Sequence, residues 1–326
     1  MNKLLITGGT GYIGRNLAEF YLKQGISVRL LVRDPQKVAQ TLKDRCELYQ
    51  GDITEPATFG NAFNGVDAVI HSAGQLGRFR MPYKELYAIN VAGTLNVLHA
   101  AMTANVSRFI HLSAGGVTGP LKQSFVDETY PPAPVTDYER TKWEAEKQVL
   151  EIARSKDYNL LVLRPTFTYG AGDPHKLKLF KAIKRGQFFF IGNGKSTVHP
   201  VYIDDLIRGI DAGLKSDVHH DSIIIGGSRA VTKRELASSI AAALKVKQPK
   251  LMVPVWFCRL AAVGFELLGT LTGLEPPLTR SRILALSENW GYSIEKARRL
   301  IGYIPTVELQ EGIEKTTLWY HQQRWL

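Results

Sequence analysis

The chain has 326 residues, 44% of them hydrophobic, with a net charge of +11 and only two cysteines, Cys46 and Cys258. That length and apolar share exclude a disordered chain or a disulfide-stapled miniprotein, and allow a large core with a smaller lobe attached. The charge is uneven, with 18 basic and 16 acidic side chains in residues 1–163 against 23 and 14 in residues 164–326, so the second half is the part to meet an anionic substrate, an acidic partner or a lipid surface, or else simply to stay solvated.

In chain order, short apolar runs at Lys3–Thr7, Val28–Val32, Ala68–His71, Arg108–Leu112 and Asn159–Arg164 read as strands. Amphipathic stretches at 12–24, 56–63, 83–104 and 138–154 read as helices between them. Strands so short and continuously apolar suit a parallel sheet covered on both faces. Right-handed crossovers then give an α/β fold with a doubly wound, Rossmann-type sheet. After Tyr169 the pattern changes. Residues 173–186 look helical, Phe188–Ile191 and Val198–Ile203 extended, and the chain from 232 onward mostly helical apart from an extended piece near 250. The opening Met1–Thr7 run is cut off by Gly8 and Gly9 and is too short for a signal peptide. The cysteines lack the spacing of a metal clip or redox pair, which fits a cytoplasmic protein.

Three constellations carry chemistry. Gly8-Gly9-Thr10-Gly11-Tyr12-Ile13-Gly14 follows the first strand and opens a helix. Glycines at 8, 11 and 14 permit a tight turn and close approach of backbone to a pyrophosphate, which then faces the positive end of the helix. At the end of the second strand stands Val32-Arg33-Asp34-Pro35, where a ribose-binding acid is usual. The Arg33 guanidinium can hold a 2′-phosphate in two-pronged fashion, so NADP is preferred, with NAD left open by the adjacent Asp34. Tyr138 and Lys142 lie four apart on a helix and share one face, and a neighbouring cation lowers a phenol's pKa toward general acid–base use.

Jointly, Thr7–Gly14, Gly51-Asp52-Ile53, His71-Ser72-Ala73-Gly74, Asn90–Thr94, Tyr138-x-x-x-Lys142, Arg164–Gly170, His199–Leu206 and Lys296–Pro305 resemble the extended short-chain dehydrogenases, the NAD-dependent epimerase/dehydratase superfamily, over nearly the whole chain. The resemblance implies that Gly8, Thr10, Gly11, Tyr12, Ile13 and Gly14 form the pyrophosphate turn. It also implies that Asp52 holds the adenine amino group, with Ile53 against the ring, and that Ser72, Ala73 and Gly74 line the nicotinamide ribose. Lys142 would bond the ribose hydroxyls, Tyr138 would exchange the proton with substrate, and Pro165 would lie beside the nicotinamide. One departure stands out: strict register places Ala114 where the family has its catalytic serine. Ser113 is then the candidate hydroxyl if it rotates inward; Thr118, or no donor at all, are the alternatives. The fold implied is a dinucleotide-binding domain over 1–168, with return segments near 198–227. A smaller, mostly helical substrate lobe takes 169–197 and 228–326.

Val32–Pro35 with Lys37 is similar to the dihydroflavonol and cinnamoyl reductases. Trp256-Phe257, Pro276–Thr279 and Lys296-Ala297 are similar to the 3β-hydroxysteroid and sterol-carboxylate dehydrogenases. The resemblance thus implies an oxidoreductase moving a hydride between NADP or NAD and a ketone or secondary alcohol of an apolar small molecule. A nucleotide-sugar epimerase or dehydratase, and a non-catalytic cofactor-binding sensor or assembly subunit, are the other readings. His99, His111, His199, His219 and His220 show no metal-ligand spacing, and no nucleic-acid motif occurs. The basic run from Lys176 to Lys195 reads as a solvated face or an anion-binding wall, and Arg78–Tyr83 as a substrate-side loop. Leu251–Leu274 is largely apolar but holds Arg259, Glu266 and three glycines, so a helix packed on its own domain, or a lid touching lipid, is expected rather than a membrane span. A homodimer stays open.

Overall fold

The computed structural model describes residues 1–123 and 125–326. Seven strands form one parallel sheet: β1 (Lys3–Thr7), β2 (Ser27–Val32), β3 (Glu47–Gln50), β4 (Ala68–His71), β5 (Arg108–Leu112), β6 (Leu160–Pro165) and β7 (Asp221–Ile225). Their spatial order is β7-β6-β5-β4-β1-β2-β3, and every pairing is parallel. Side chains alternate across a strand, so β1 supplies both cores. Leu4 and Ile6 join one layer with Leu17 and Tyr21 of helix α1 (Tyr12–Lys23) and with the Ile203–Lys215 helix. Leu5 joins the other with Val97 and Leu98 of α2 (Gly93–Thr103) and Val149 and Ala153 of α3 (Asp137–Ser155). This is a Rossmann-type α/β sandwich with helices on both faces.

The structure differs from expectation at three places. Residues 56–63 form two 3₁₀ turns, Pro56–Thr58 and Gly60–Phe63, rather than one helix. Pro56 opens the first and Gly60 the second, while Phe59 and Phe63 still supply the apolar anchors. Strand β3 escapes an apolar-run criterion because it is the sheet's edge: Glu47 and Gln50 face solvent, and only Leu48 and Tyr49 are partly covered. The 83–104 run is helical throughout but contains a π-helical turn at Ala88–Ala92, between the short Tyr83–Tyr87 helix and α2.

The crossovers from β1 to β2 and from β3 back to β4 leave in opposite directions, which opens a crevice at the carboxyl ends of β1 and β4. Beyond β6 the chain builds short strand pairs, Phe167–Tyr169 with Pro200–Tyr202 and Phe190–Ile191 with Met252–Val253, and then mostly helices. Val255–Thr272 is one 18-residue helix, of which only Cys258, Ala262 and Gly269 are buried. Those three fall on one narrow stripe, Cys258 and Ala262 packing with Ile191 and Ile283, and Gly269 against Pro276 and Phe79. Val255, Ala261 and Glu266 are partly covered and the rest of the helix is exposed, so it packs on its own domain along one stripe only.

Candidate active site

At the carboxyl edge of β1, Gly8 takes φ +74, a region L side chains avoid, and a Cβ on Gly14 would lie 2.3 Å from the Gly8 carbonyl oxygen. The turn therefore closes only with glycine, and the Gly11 N–H donates to the Gly8 carbonyl at 2.8 Å. Helix α1 then begins with no side-chain cap and no acidic residue in its first turn. Its first N–H groups face out with no competing carboxylate, the arrangement an anionic pyrophosphate fits. The neighbouring strand end is locked to this turn: the Ser72 hydroxyl donates to the Thr7 carbonyl at 2.6 Å, and the Ala73 N–H to the Thr7 hydroxyl at 3.1 Å.

Beneath the turn lies a neutral polar column. His71 bonds Thr7 Oγ1 at 2.8 Å through Nδ1 and Thr94 Oγ1 at 2.9 Å through Nε2. Burial, with Lys142 nearby, pushes its pKa down to about 3. His111 stacks on it at 5.7 Å and is likewise held well below the ordinary imidazole range by burial.

Arg33 is exposed at the end of β2. The Asp34 carboxylate is engaged elsewhere, accepting the Gln36 N–H at 2.9 Å as a cap and lying 3.6 Å from the Lys37 ammonium. Asp52, after β3, folds its carboxylate onto the N–H and hydroxyl of Thr54 at 2.9 and 2.8 Å, and Ile53 is buried against Gly93.

Helix α3 starts with a capping box: Thr136 Oγ1 accepts the Glu139 N–H at 3.2 Å, and the Glu139 carboxylate accepts the Thr136 N–H at 2.9 Å. This sets Tyr138 in the first turn and Lys142 one turn on. The Lys142 ammonium donates to the Leu112 carbonyl at the end of β5, at 2.5 Å. Burial pulls its pKa down to about 8, with Glu146 opposing. Tyr138 is half-buried, and burial, joined by Glu139, raises its phenol to about 12. Lys142 gives the phenol no lowering, its ammonium being turned to the Leu112 carbonyl.

The two hydroxyl candidates are both engaged. Ser113 Oγ donates to Glu146 Oε2 at 2.6 Å, and Arg164 forks onto the same carboxylate, Nε and Nη2 reaching Oε1 at 2.9 and 2.6 Å. Thr118 is buried, its hydroxyl 3.1 Å from the Gly115 carbonyl and 3.3 Å from the Tyr292 phenol. Tyr292 also donates to the Gly115 carbonyl, and a Cβ on Gly115 would sit 3.3 Å from the Pro165 carbonyl, so the 113–118 turn is clamped between β6 and Tyr292.

Three residues here went unassigned in the sequence. Glu146 is one helical turn beyond Lys142 and carries a signal only as part of that same face. Asn90, in the π-helical turn, accepts the Gln75 N–H at 2.7 Å and donates to the Gln75 carbonyl and to Thr141 Oγ1, tying the loop after β4 to α3. Tyr292 offers no local signal at all. His199 is structural, bonded to the Gly227 carbonyl and accepting the Tyr292 N–H. Asp157, His219 and His220 bring ligand atoms within 4.8 Å of one another, but at the amino ends of β6 and β7, opposite the glycine turn. The Arg78–Tyr83 loop reaches outward instead: Arg80 donates to the Thr270 carbonyl at 3.3 Å, and Phe79 lies against Gly269.

Residues 4–226 match the model of the NAD dependent epimerase/dehydratase family. The chain is 32% identical over 340 residues to short-chain dehydrogenase/reductase family 42E member 1 of Bos taurus, covering 95% of this chain and 86% of that one. It is 28% identical over 320 residues to the 4-hydroxy-2-methyl-3-oxo-4-farnesyl-3,4-dihydroquinoline-1-oxide ketoreductase of Stigmatella aurantiaca, covering 96% and 95%. UDP-glucose 4-epimerase of Thermotoga maritima superposes with a TM-score of 0.82 over 99% of both chains at 21% identity, a likeness of fold.

Proposed function

The chain belongs to the NAD dependent epimerase/dehydratase family, and from that premise we propose that it is an NAD(P)-dependent reductase or dehydrogenase acting on a ketone or secondary alcohol of an apolar molecule. One observation carries the reading most: Tyr138 and Lys142 stand together on α3, with Lys142 anchored to the carboxyl end of β5, on the same sheet edge as the Gly8–Gly14 turn and separated from it by β4. The likeness to a ketoreductase of a farnesylated quinoline supports the substrate class.

A bound nicotinamide supplies or accepts the hydride. The chain's own residues do the rest. The α1 amino end and the glycine turn hold the pyrophosphate, with Thr10, Tyr12 and Ile13 in the turn. Ser72, Ala73, Gly74 and Pro165 flank the nicotinamide half, and Asp52 and Ile53 the adenine. Arg33, free of any ion pair among the described residues, takes the 2′-phosphate, so NADP is the favoured form. Tyr138, with its pKa raised, keeps its proton at neutral pH and donates it to the oxygen of the ketone as the alcohol forms. Lys142 holds ribose hydroxyls. Ser113 acts through Glu146 as a positioning residue, and Ala114 leaves the substrate oxygen one hydrogen bond short of the family pattern.

A substrate of this kind dissolves in lipid rather than water, so a lipid surface is the partner this reading calls for. The test is NADPH and NADH oxidation across long-chain 3-oxo acids, ketosteroids and water-soluble ketones, with nucleotide sugars as the contrasting class. Turnover confined to nucleotide sugars establishes epimerase or dehydratase chemistry instead. Cofactor binding without turnover of any class establishes a sensor.

A further inference from the structure

We propose that the Val255–Thr272 helix is a docking surface for an anionic lipid bilayer, on which it lies flat with its outer side sunk into the interface. The inference deepens the apolar-substrate reading and rests on it for the purpose of docking.

Trp256, Leu260, Val263, Leu267 and Leu271 recur at three- and four-residue steps, so they form one stripe. They are 55–77% exposed. The stripe points opposite to the narrow one at Cys258, Ala262 and Gly269 that packs on the body. An ordinary surface helix turns a polar face to water; this one turns apolar side chains both ways. Its charges are only Arg259 and Glu266, and Glu266 is held by Arg280 at 2.8 Å. An uncovered apolar strip on this scale marks an interaction surface.

Charge selects the occupant. Lys245, Lys247 and Lys250 lead directly into the helix and are exposed, and none of them makes an ion pair among the described residues. Arg259 on the helix itself is 62% exposed but lies 3.7 Å from the Glu288 carboxylate, so the free cations are the three lysines. Of the two acidic side chains between 245 and 287, Glu266 is paired with Arg280 and Glu275 with Arg282. An apolar strip led by three exposed, unpaired lysines suits anionic headgroups over acyl chains better than it suits a second copy of the same basic surface.

The helix lies on the bilayer rather than through it, because both ends are fastened to the body. Met252–Val253 pairs with Phe190–Ile191 at one end. At the other, Arg80 bonds the Thr270 carbonyl, and Gly269 lies so close to Phe79 and Pro276 that an added Cβ would collide with the proline ring. That second fastening is the loop that follows β4 and the Ser72–Gly74 segment. A molecule leaving the bilayer beside Leu271 therefore meets the loop that leads to the candidate active site.

The test is co-sedimentation of the full chain with vesicles of phosphatidylcholine alone and of phosphatidylcholine mixed with phosphatidylglycerol, at low and high salt. Binding to the mixed vesicles at low salt, weakened at least tenfold on neutral vesicles or in high salt, is the expected result. Leu267→Glu with Leu271→Glu removes binding and leaves the melting temperature unchanged, since neither side chain contributes to the core. Full recovery of the wild type in the supernatant overturns the proposal. So does binding that survives the double substitution. So too does a dimer in sedimentation velocity that this substitution dissolves without any vesicle binding, which assigns the strip to a second copy. Oxidation of NADPH with a water-soluble ketone reads the redox function independently, so failure of one reading is distinguishable from failure of the other.

Discussion

Replacing Glu146 with glutamine tests the Ser113–Glu146–Arg164 arrangement most sharply. Glu146 is fully buried and Arg164 is 4% exposed, so neither can recruit water when its partner changes. The carboxylate accepts four hydrogen bonds, three from Arg164 between 2.6 and 3.2 Å and one from Ser113 at 2.6 Å. Glutamine keeps the shape but loses the charge, and it turns an amide NH₂ toward one of these donors. A buried guanidinium left without its counter-charge costs about 3–5 kcal/mol. For a chain of this size, where 1 kcal/mol moves the midpoint by roughly 2 °C, the melting temperature should fall by about 5–10 °C. Denaturant unfolding at constant m-value measures the same loss as a lower midpoint. The pair Glu146→Leu with Arg164→Met removes both charges together and should recover most of the stability, because a buried ion pair gains little over apolar residues of similar volume. A Glu146→Gln protein that melts within about 1 °C of wild type would refute the burial and charge argument.

Arg33→Ala should weaken NADPH binding on the order of 100-fold by removing charge-assisted bonds to the 2′-phosphate, and leave NADH nearly unchanged; fluorescence titration of both cofactors decides it, and equal losses defeat the assignment. Ser113→Ala should lower the melting temperature more than it lowers kcat, whereas Ala114→Ser, which restores the family's hydroxyl, should raise kcat; a collapse of kcat in Ser113→Ala would make Ser113 the donor after all. Ketone reduction should have a kcat/KM that falls as pH rises through about 8, where Lys142 gives up its proton while Tyr138, at about 12, keeps its own. The stability sign follows from the same residue. Between about 8 and 10.5 the unfolded chain holds Lys142's proton and the folded chain does not, so the lysine's contribution to stability rises with pH. The difference in unfolding free energy between wild type and Lys142→Met, followed across that window, measures it.

Much of the fold and of the site is legible in the sequence. Leu4, Leu5 and Ile6 are apolar in succession because β1 is buried on both faces, and a strand of that kind announces a covered parallel sheet. The glycine turn and the Tyr138–Lys142 pair are local patterns, each written within seven residues. What escaped is long-range. Glu47–Gln50 is half polar because an edge strand has solvent on one side, and composition alone gives it no periodicity to read. Ser113's hydroxyl has a fate decided by Glu146 and Arg164, which meet only when β6 lies beside β5 under α3. For the Val255–Thr272 helix the pattern fixed the helix but not its surroundings: when nearly every side chain is apolar, periodicity cannot say which stripe turns inward.

The strand order also sets a schedule for synthesis. β1 is made first yet sits inside the sheet, and its Leu4 aligns with Ala68 of β4, so the centre cannot close until that later segment has emerged. β6 is then complete at Pro165, but its outer neighbour β7 starts only at Asp221. In between, Leu160–Leu163, buried in the finished protein, form an open apolar edge on a nascent chain. That interval is the one in which a translating chain is most exposed to chaperone capture and to pairing with its neighbours on a polysome. Its length is dictated by the Phe167–Ser216 excursion between β6 and β7, so the segments inserted there also lengthen the vulnerable stage of folding.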